Sequence, residues 1–160
     1  MPSDIFLKMD PIKGESQDTK HKDEIDIQNW SIGASQTGAF GSGGGGGAGK
    51  VSFQDLHLTH YVDRASPDLM KACATGQHFD KAVLTVRKAG GKDALEYLKI
   101  TLKDVLVSSW QPGGSSHEEL IPESITLNFR KIEYEYTVQT DKGGAGTSTT
   151  VTWDVAANHE

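Results

Sequence analysis

Two of the six histidines, the one cysteine and a glycine run ending in lysine are the first residues of this 160-residue chain whose types and spacing could do chemistry. Gly44 and Gly49-Lys50 have the spacing of a phosphate-cradling loop. Such a loop needs a Ser or Thr next, to hold magnesium, and a helix whose N-terminus faces the phosphates. Here Val51 follows and the pattern beyond it is that of a strand, so Gly43 to Gly47 reads as an ordinary loop. His57 and His60 stand three apart in a strand pattern, which turns them to opposite faces and denies them a shared metal. No second cysteine or compact acidic cluster supplies further ligands, so both read as structural or surface histidines. Cys73 falls in helical register with Leu69 and Met70 and reads as a small buried hydrophobe. Ser35, Ser42 and Ser52 lie in no nucleophile-elbow sequence, and Glu118-Glu119 reads as solvated charge in a polar turn. These residues give no catalytic set, no metal site and no cofactor site.

The elements that position them are mostly strands. Ile5 to Met9 reads as a first strand, and Pro11 to Lys22 as a polar loop. Ile25 and Ile27 alternate with Asp26 and Gln28 in a strand that continues towards Trp30 and Ile32. Gly38 to Gly49 is a glycine-rich loop whose composition maximises backbone entropy. Val51 to Val62 changes phase near Gln54-Asp55, the mark of a bulge or sharp bend. Ser124 to Gln139 does the same: Ile125, Leu127 and Phe129 point one way, and Ile132, Tyr134, Tyr136 and Val138 the other. A strand that changes its buried face midway suits a barrel or strongly coiled sheet. Further strands are Ala82 to Lys88, Leu95 to Val107 and Thr149 to Val155, with Gly- and Pro-rich turns between them. One helix is expected at about residues 67–75, with Ser66 as cap, Pro67 at its first position and Gly76 just past its end. The sum is a mainly β, single-domain closed or near-closed β-barrel with one short α-helix, spanning residues 1–160.

Composition narrows the function classes. Net charge is −6 and hydrophobic residues make up 36%, so the chain is globular and lacks the basic stripe of a nucleic-acid binder. That charge also opposes adhesion to an anionic membrane, and no apolar stretch approaches the roughly 20 residues of a membrane helix, so no membrane insertion is expected. Met1 to Ser16 shows no Sec-type signal. In Leu95 to Leu106, Tyr97, Lys99, Thr101 and Lys103 alternate with Leu98, Ile100 and Leu102. Two readings stay open on this pattern: a solvent-facing barrel wall, or long strands that pair with other chains.

The wording of the sequence goes further. The stretches Ile12-Lys13-Gly14-Glu15-Ser16, Glu24-Ile25-Asp26-Ile27 leading to Trp30-Ser31, and Ala48-Gly49-Lys50-Val51 come first. Phe53-Gln54-Asp55-Leu56, Ser66-Pro67-Asp68-Leu69-Met70, Leu84 to Gly91 and Thr126-Leu127-Asn128-Phe129 follow in order. Together, over roughly residues 4 to 140, the chain resembles the haemolysin-coregulated protein (Hcp) family, the tube protein of bacterial type VI secretion systems. The resemblance implies a β-barrel subunit forming homohexameric rings, which stack into the inner tube of a contractile injector. It implies partners in the contractile sheath, the baseplate, the spike protein and small effector proteins held in the lumen. It also implies assembly in the cytoplasm and export through the machine, without a signal peptide, by a chain carrying no fused toxin domain. By the same resemblance Gln28 and Ser31 are candidate lumen-facing positions, and Gly43, Gly44, Gly45, Gly46 and Gly47 belong to a loop reaching towards the next ring. A secreted binding module acting on host or competitor surfaces, independently of a tube, is the alternative.

Overall fold

The computed structural model of the chain describes residues 3–38, 50–88 and 94–160. Its elements are β1 (Ser3–Lys8), β2 (Ile25–Asp26), β3 (Asn29–Ser31), β4 (Ala34–Ser35), β5 (Ser52–Phe53) and β6 (Leu56–Tyr61), then α1 (Ser66–Thr75). After the helix come β7 (His78–Lys88), β8 (Glu96–Pro112), β9 (Pro122–Gln139) and β10 (Ala145–Asp154). The stretch expected as one strand from Ile25 is broken into short pieces, while the last four strands run longer than their apolar patterns.

The main sheet is antiparallel and ordered β2-β1-β7-β8-β9-β6-β3, with β10 added to β9. Its two ends, β2 and β3, are pieces of one segment. Between them Ile27 N–H donates to the Ile5 carbonyl in β1 (2.9 Å), and Gln28 N–H donates to the Thr59 carbonyl in β6 (2.8 Å). The sheet therefore curls until one segment bridges its edges, which gives the near-closed barrel that the phase changes predict.

Each phase change has a visible cause. The break between β5 and β6 is a corner held by Asp55, which accepts hydrogen bonds from Ser108 Oγ (2.6 Å) and Asn128 Nδ2 (2.9 Å). In β9 the buried series Ile125, Leu127, Phe129 gives way to Ile132. At that point β9 exchanges one neighbour for another: Pro122 to Leu127 pair with β6, and Lys131 to Gln139 pair with β10. β8 shifts in step, from Leu98, Ile100 and Leu102 to Val105 and Val107, across Asp104 at φ +54°. Two partner strands that shift phase together bend as one unit and keep their cross-strand pairs.

Leu7, Leu56, Leu58, Ile100, Ile125 and Leu127 are fully buried in the core. Each such side chain contributes about 1.5–3 kcal/mol through lost water contact. α1 packs beside β8. Its start differs from expectation: Ser66 lies inside the helix and accepts from Asp63 N–H (3.1 Å), and the cap position is Ala65 without a side-chain hydrogen bond. The Asp63 carboxylate instead takes the Ala65 N–H (2.8 Å), because a loop that folds back brings an acidic residue to the positive end. The apolar stripe also differs, since Leu69 and Ala72 are buried, Cys73 is half-buried and Met70 is exposed. Gly76 closes the helix at φ +70°, as its position predicts.

Gly14 marks a place where only glycine fits. A Cβ there would lie 2.5 Å from the Glu24 carbonyl oxygen and 2.7 Å from Ile25 Cα. The same close approach lets Gly14 N–H reach the Asp23 carbonyl and Ser16 N–H reach that of Glu24. The Gly14-Glu15-Ser16 wording is thus a tie between the long polar loop and β2.

Candidate functional site

Three arrangements stand out from a plain barrel wall. The first is a buried polar lock. His60 in β6 has no exposed surface, and its Nε2 lies 2.8 Å from Glu123 Oε1 in β9. Trp110 Nε1–H in β8 donates to the other oxygen of Glu123 (2.8 Å). Three strands are thereby tied through one carboxylate, while His60 Nδ1 has no hydrogen-bond partner and sits 3.9 Å from Asp63. His60 is therefore structural, and His57 is exposed on the other face of the strand, the opposition that their spacing predicts.

The second is a polar concavity of about 690 Å³ where β1, the polar loop and the segment joining β2 to β3 meet. Asp4, Glu15, Asp18, Asp26 and Asp63 line it, with Arg87 as the cation. Arg87 pairs with both Asp4 and Asp18, and its guanidinium lies 5.0 Å from the Phe6 ring centroid. Phe6 is also stacked on by His21 at 4.4 Å, and His21 lies between Glu24 and Glu96. Hydrogen bonds from Arg87 hold the Asp18 carboxyl down at about 2. Burial, then the charges of Asp63, Asp18 and Asp4, push the Asp26 carboxyl up. Asp63 is also pushed up, first by burial. The concavity thus carries more negative charge than Arg87 offsets.

The third is an apolar groove of about 240 Å³, walled by Ile32 and Phe53 on one side and by Ile132, Tyr134, Val151 and Trp153 on the other. It opens onto an apolar strip: Tyr134, Tyr136, Val138 and Val151 are 42–54% exposed. Trp153 Nε1 is buried without a hydrogen-bond partner. Isolated exposed apolar residues are ordinary, but a groove continuous with four large ones is a patch of the kind that binds something.

Of the positions singled out from the sequence, Gln28 is exposed on the concavity, whereas Ser31 is exposed in β3 and outside its lining. The two are not brought into one pocket. Gly43 to Gly47 lie outside the described residues. The Arg87 network joins residues 69 and 83 positions apart, which no local spacing reveals. Tyr134 and Val151 are cross-strand partners in β9 and β10, a pairing only the fold supplies. Among the described residues no group of His, Cys, Asp and Glu could hold a metal ion, and no helix is long and apolar enough to cross a membrane.

A profile of the family described as "Type VI secretion system effector, Hcp" matches residues 6–136. The chain is 48% identical to Protein hcp1 of Pseudomonas aeruginosa over 159 residues, covering 99% of this chain and 98% of that one. Its fold matches the crystal structure of Hcp1 from Salmonella typhimurium with a TM-score of 0.83 at 42% identity, over 99% of both chains. A structure of a type six secretion system protein superposes with a TM-score of 0.91 at 29% identity, over 98% of both chains.

Proposed function

Since the chain belongs to the Hcp family of type VI secretion proteins, we propose that it is a structural, non-catalytic subunit acting as one domain over residues 1–160. Six copies close into a ring around a wide channel, and rings stack into the inner tube of the contractile apparatus. Its partners are other copies of itself, the sheath, the baseplate and the spike protein. Assembly takes place in the cytoplasm, and export is through the apparatus.

The observation that carries this reading is the uncovered apolar face of β9 and β10. A groove continuous with Tyr134, Tyr136, Val138 and Val151 is costly on a lone soluble subunit, and it is the kind of surface that permanent assemblies bury. Native mass spectrometry at micromolar concentration tests it directly. A hexamer with six-fold particles in negative stain is the expected result, and a strict monomer at every concentration overturns it.

A carrier role goes with the ring. Gln28 and Ser31, both exposed and polar, face the channel and contact small effector proteins held there. Replacing Ser31 by Glu is expected to abolish effector retention while rings persist; retention unchanged by that substitution removes the residue from the role.

A further inference from the structure

The subunit has a second exposed apolar patch, at the other end of β9. Val62 N–H donates to the Ile121 carbonyl (2.8 Å) just beyond the β6–β9 pairing. Around that contact Tyr61, Val62, Leu120 and Ile121 are 39–58% exposed. Leu120 and Ile121 end the connection from β8 to β9 and follow directly on Glu118-Glu119, also exposed. This patch is therefore an apolar pair with an acidic pair beside it.

The β9–β10 end carries the converse. Behind the groove, on the other face of the sheet, lies a cleft of about 320 Å³ lined by Lys103, Arg130 and Lys131, with Asp104 and Asp154. Both carboxylates are partly engaged, Asp104 with His78 (3.1 Å) and Asp154 with Arg130 (3.8 Å). Lys131 and Ile132 are consecutive, as are Trp153 and Asp154, so the cationic cleft and the apolar groove are the two faces of one place at the sheet edge. A short segment folded over that edge reaches both. Among the described residues no strand pairs the outer side of β10; at its end Asp154 N–H donates to the His159 carbonyl (2.7 Å), so the edge is open to it from Ala145 to Trp153.

From these two ends we infer that neighbouring copies join head to tail, the Glu118-to-Ile121 segment of one seating over the β9–β10 edge of the next. Leu120 and Ile121 fill the groove; Glu118 and Glu119 face Lys103, Arg130 and Lys131. The two surfaces differ and sit some 11 or more residues apart along β9, on the order of 35 Å of strand. One subunit cannot satisfy both by itself. A contact between unlike surfaces propagates around a ring, whereas a self-complementary one stops at a dimer. The inference rests on the ring reading and specifies its contact.

The test uses two full-length variants, both altered at exposed positions. In one, Leu120 and Ile121 become Asp, and in the other Val151→Asp blocks the groove. Thermal unfolding checks that each stays folded. Each alone is expected to lose rings, with self-association weakened by at least about 100-fold because a carboxylate would be buried unpaired. Mixed together they are expected to give one-to-one heterodimers by native mass spectrometry, since one intact segment meets one intact edge. Rings persisting in either folded variant, or a mixture that stays monomeric, overturn the segment-to-edge pairing while leaving the ring reading intact. An unaltered protein that forms no ring at all overturns that reading, and this contact with it.

Discussion

The two halves of β9 have the same alternation of apolar and polar residues and opposite fates. Ile125 and Leu127 are sealed between β6 and β8, whereas Tyr134, Tyr136 and Val138 stand half out in solvent between β8 and β10. Periodicity states which residues share a face. It does not state whether the same chain covers that face. What differs is the neighbour: β6 completes the barrel wall, while β10 is an added edge that no further strand pairs among the described residues, bridged only at Asp154 by His159. The first half holds the subunit together, and the second leaves an apolar strip in solvent.

The sharpest way to break this contrast is at the lock behind the first half. Replacing His60 by Leu leaves the Glu123 carboxylate buried with Trp110 as its remaining donor, and should cost about 3–5 kcal/mol in denaturant unfolding. A change below about 1 kcal/mol would mean the lock is not a structural element. Next comes a matched pair within β9. Leu127→Ala should destabilise the subunit by about 2–5 kcal/mol. Tyr134→Ala should change the stability of a monomeric background by less than about 1 kcal/mol while lowering ring yield. Equal destabilisation by the two substitutions would erase the distinction between the halves.

A smaller loss is expected away from β9, at the tie between the polar loop and β2. Gly14→Ala places a methyl group against the Glu24 and Ile25 backbone and should cost about 1–3 kcal/mol. The smallest effect is electrostatic. Asp18 is held at about 2 against an ordinary 3.8. Its folded value is depressed, so its contribution is complete above pH 3.8 and lost as pH falls through about 2. Acid unfolding of the parent and of Asp18→Asn should therefore differ near neutrality and converge towards pH 2. Asp26 and Asp63 act in the opposite sense, since raised carboxyls favour the fold as pH falls towards their folded values.

Much of the barrel was legible in the chain because its signals are local. The phase changes near Gln54-Asp55 and along Ile125 to Val138 gave the corner and the bend, and Gly76 gave the helix end. The helix start was misread because Asp63, outside the helix, does the work expected of Ser66, and a loop's path is not written in its spacing. Met70 shared the spacing of a buried stripe yet faces outward, because the helix covers the barrel along a narrower line through Leu69 and Ala72. The Arg87 network and the Trp153 groove stayed invisible for a different reason. Their members come from strands brought together only by sheet order, so no window of sequence contains them. The likeness to the Hcp family was legible in words such as Ile12-Lys13-Gly14-Glu15-Ser16. The structure supplies the physical reason for one of those letters at Gly14.

The open side of β10 has a further consequence for the fate of unassembled chains. From Ala145 to Thr152 the strand is Thr, Ser, Gly, Ala and Val, with no Lys, Glu or Pro to blunt it. An unguarded edge rich in strand-forming residues invites indiscriminate pairing and ordered aggregates. The lone subunit is then the aggregation-prone form, and anything that covers this edge would protect it. Overproduction of this chain alone should accumulate insoluble material, and Thr150→Lys should relieve it, as the soluble fraction after cell lysis would read.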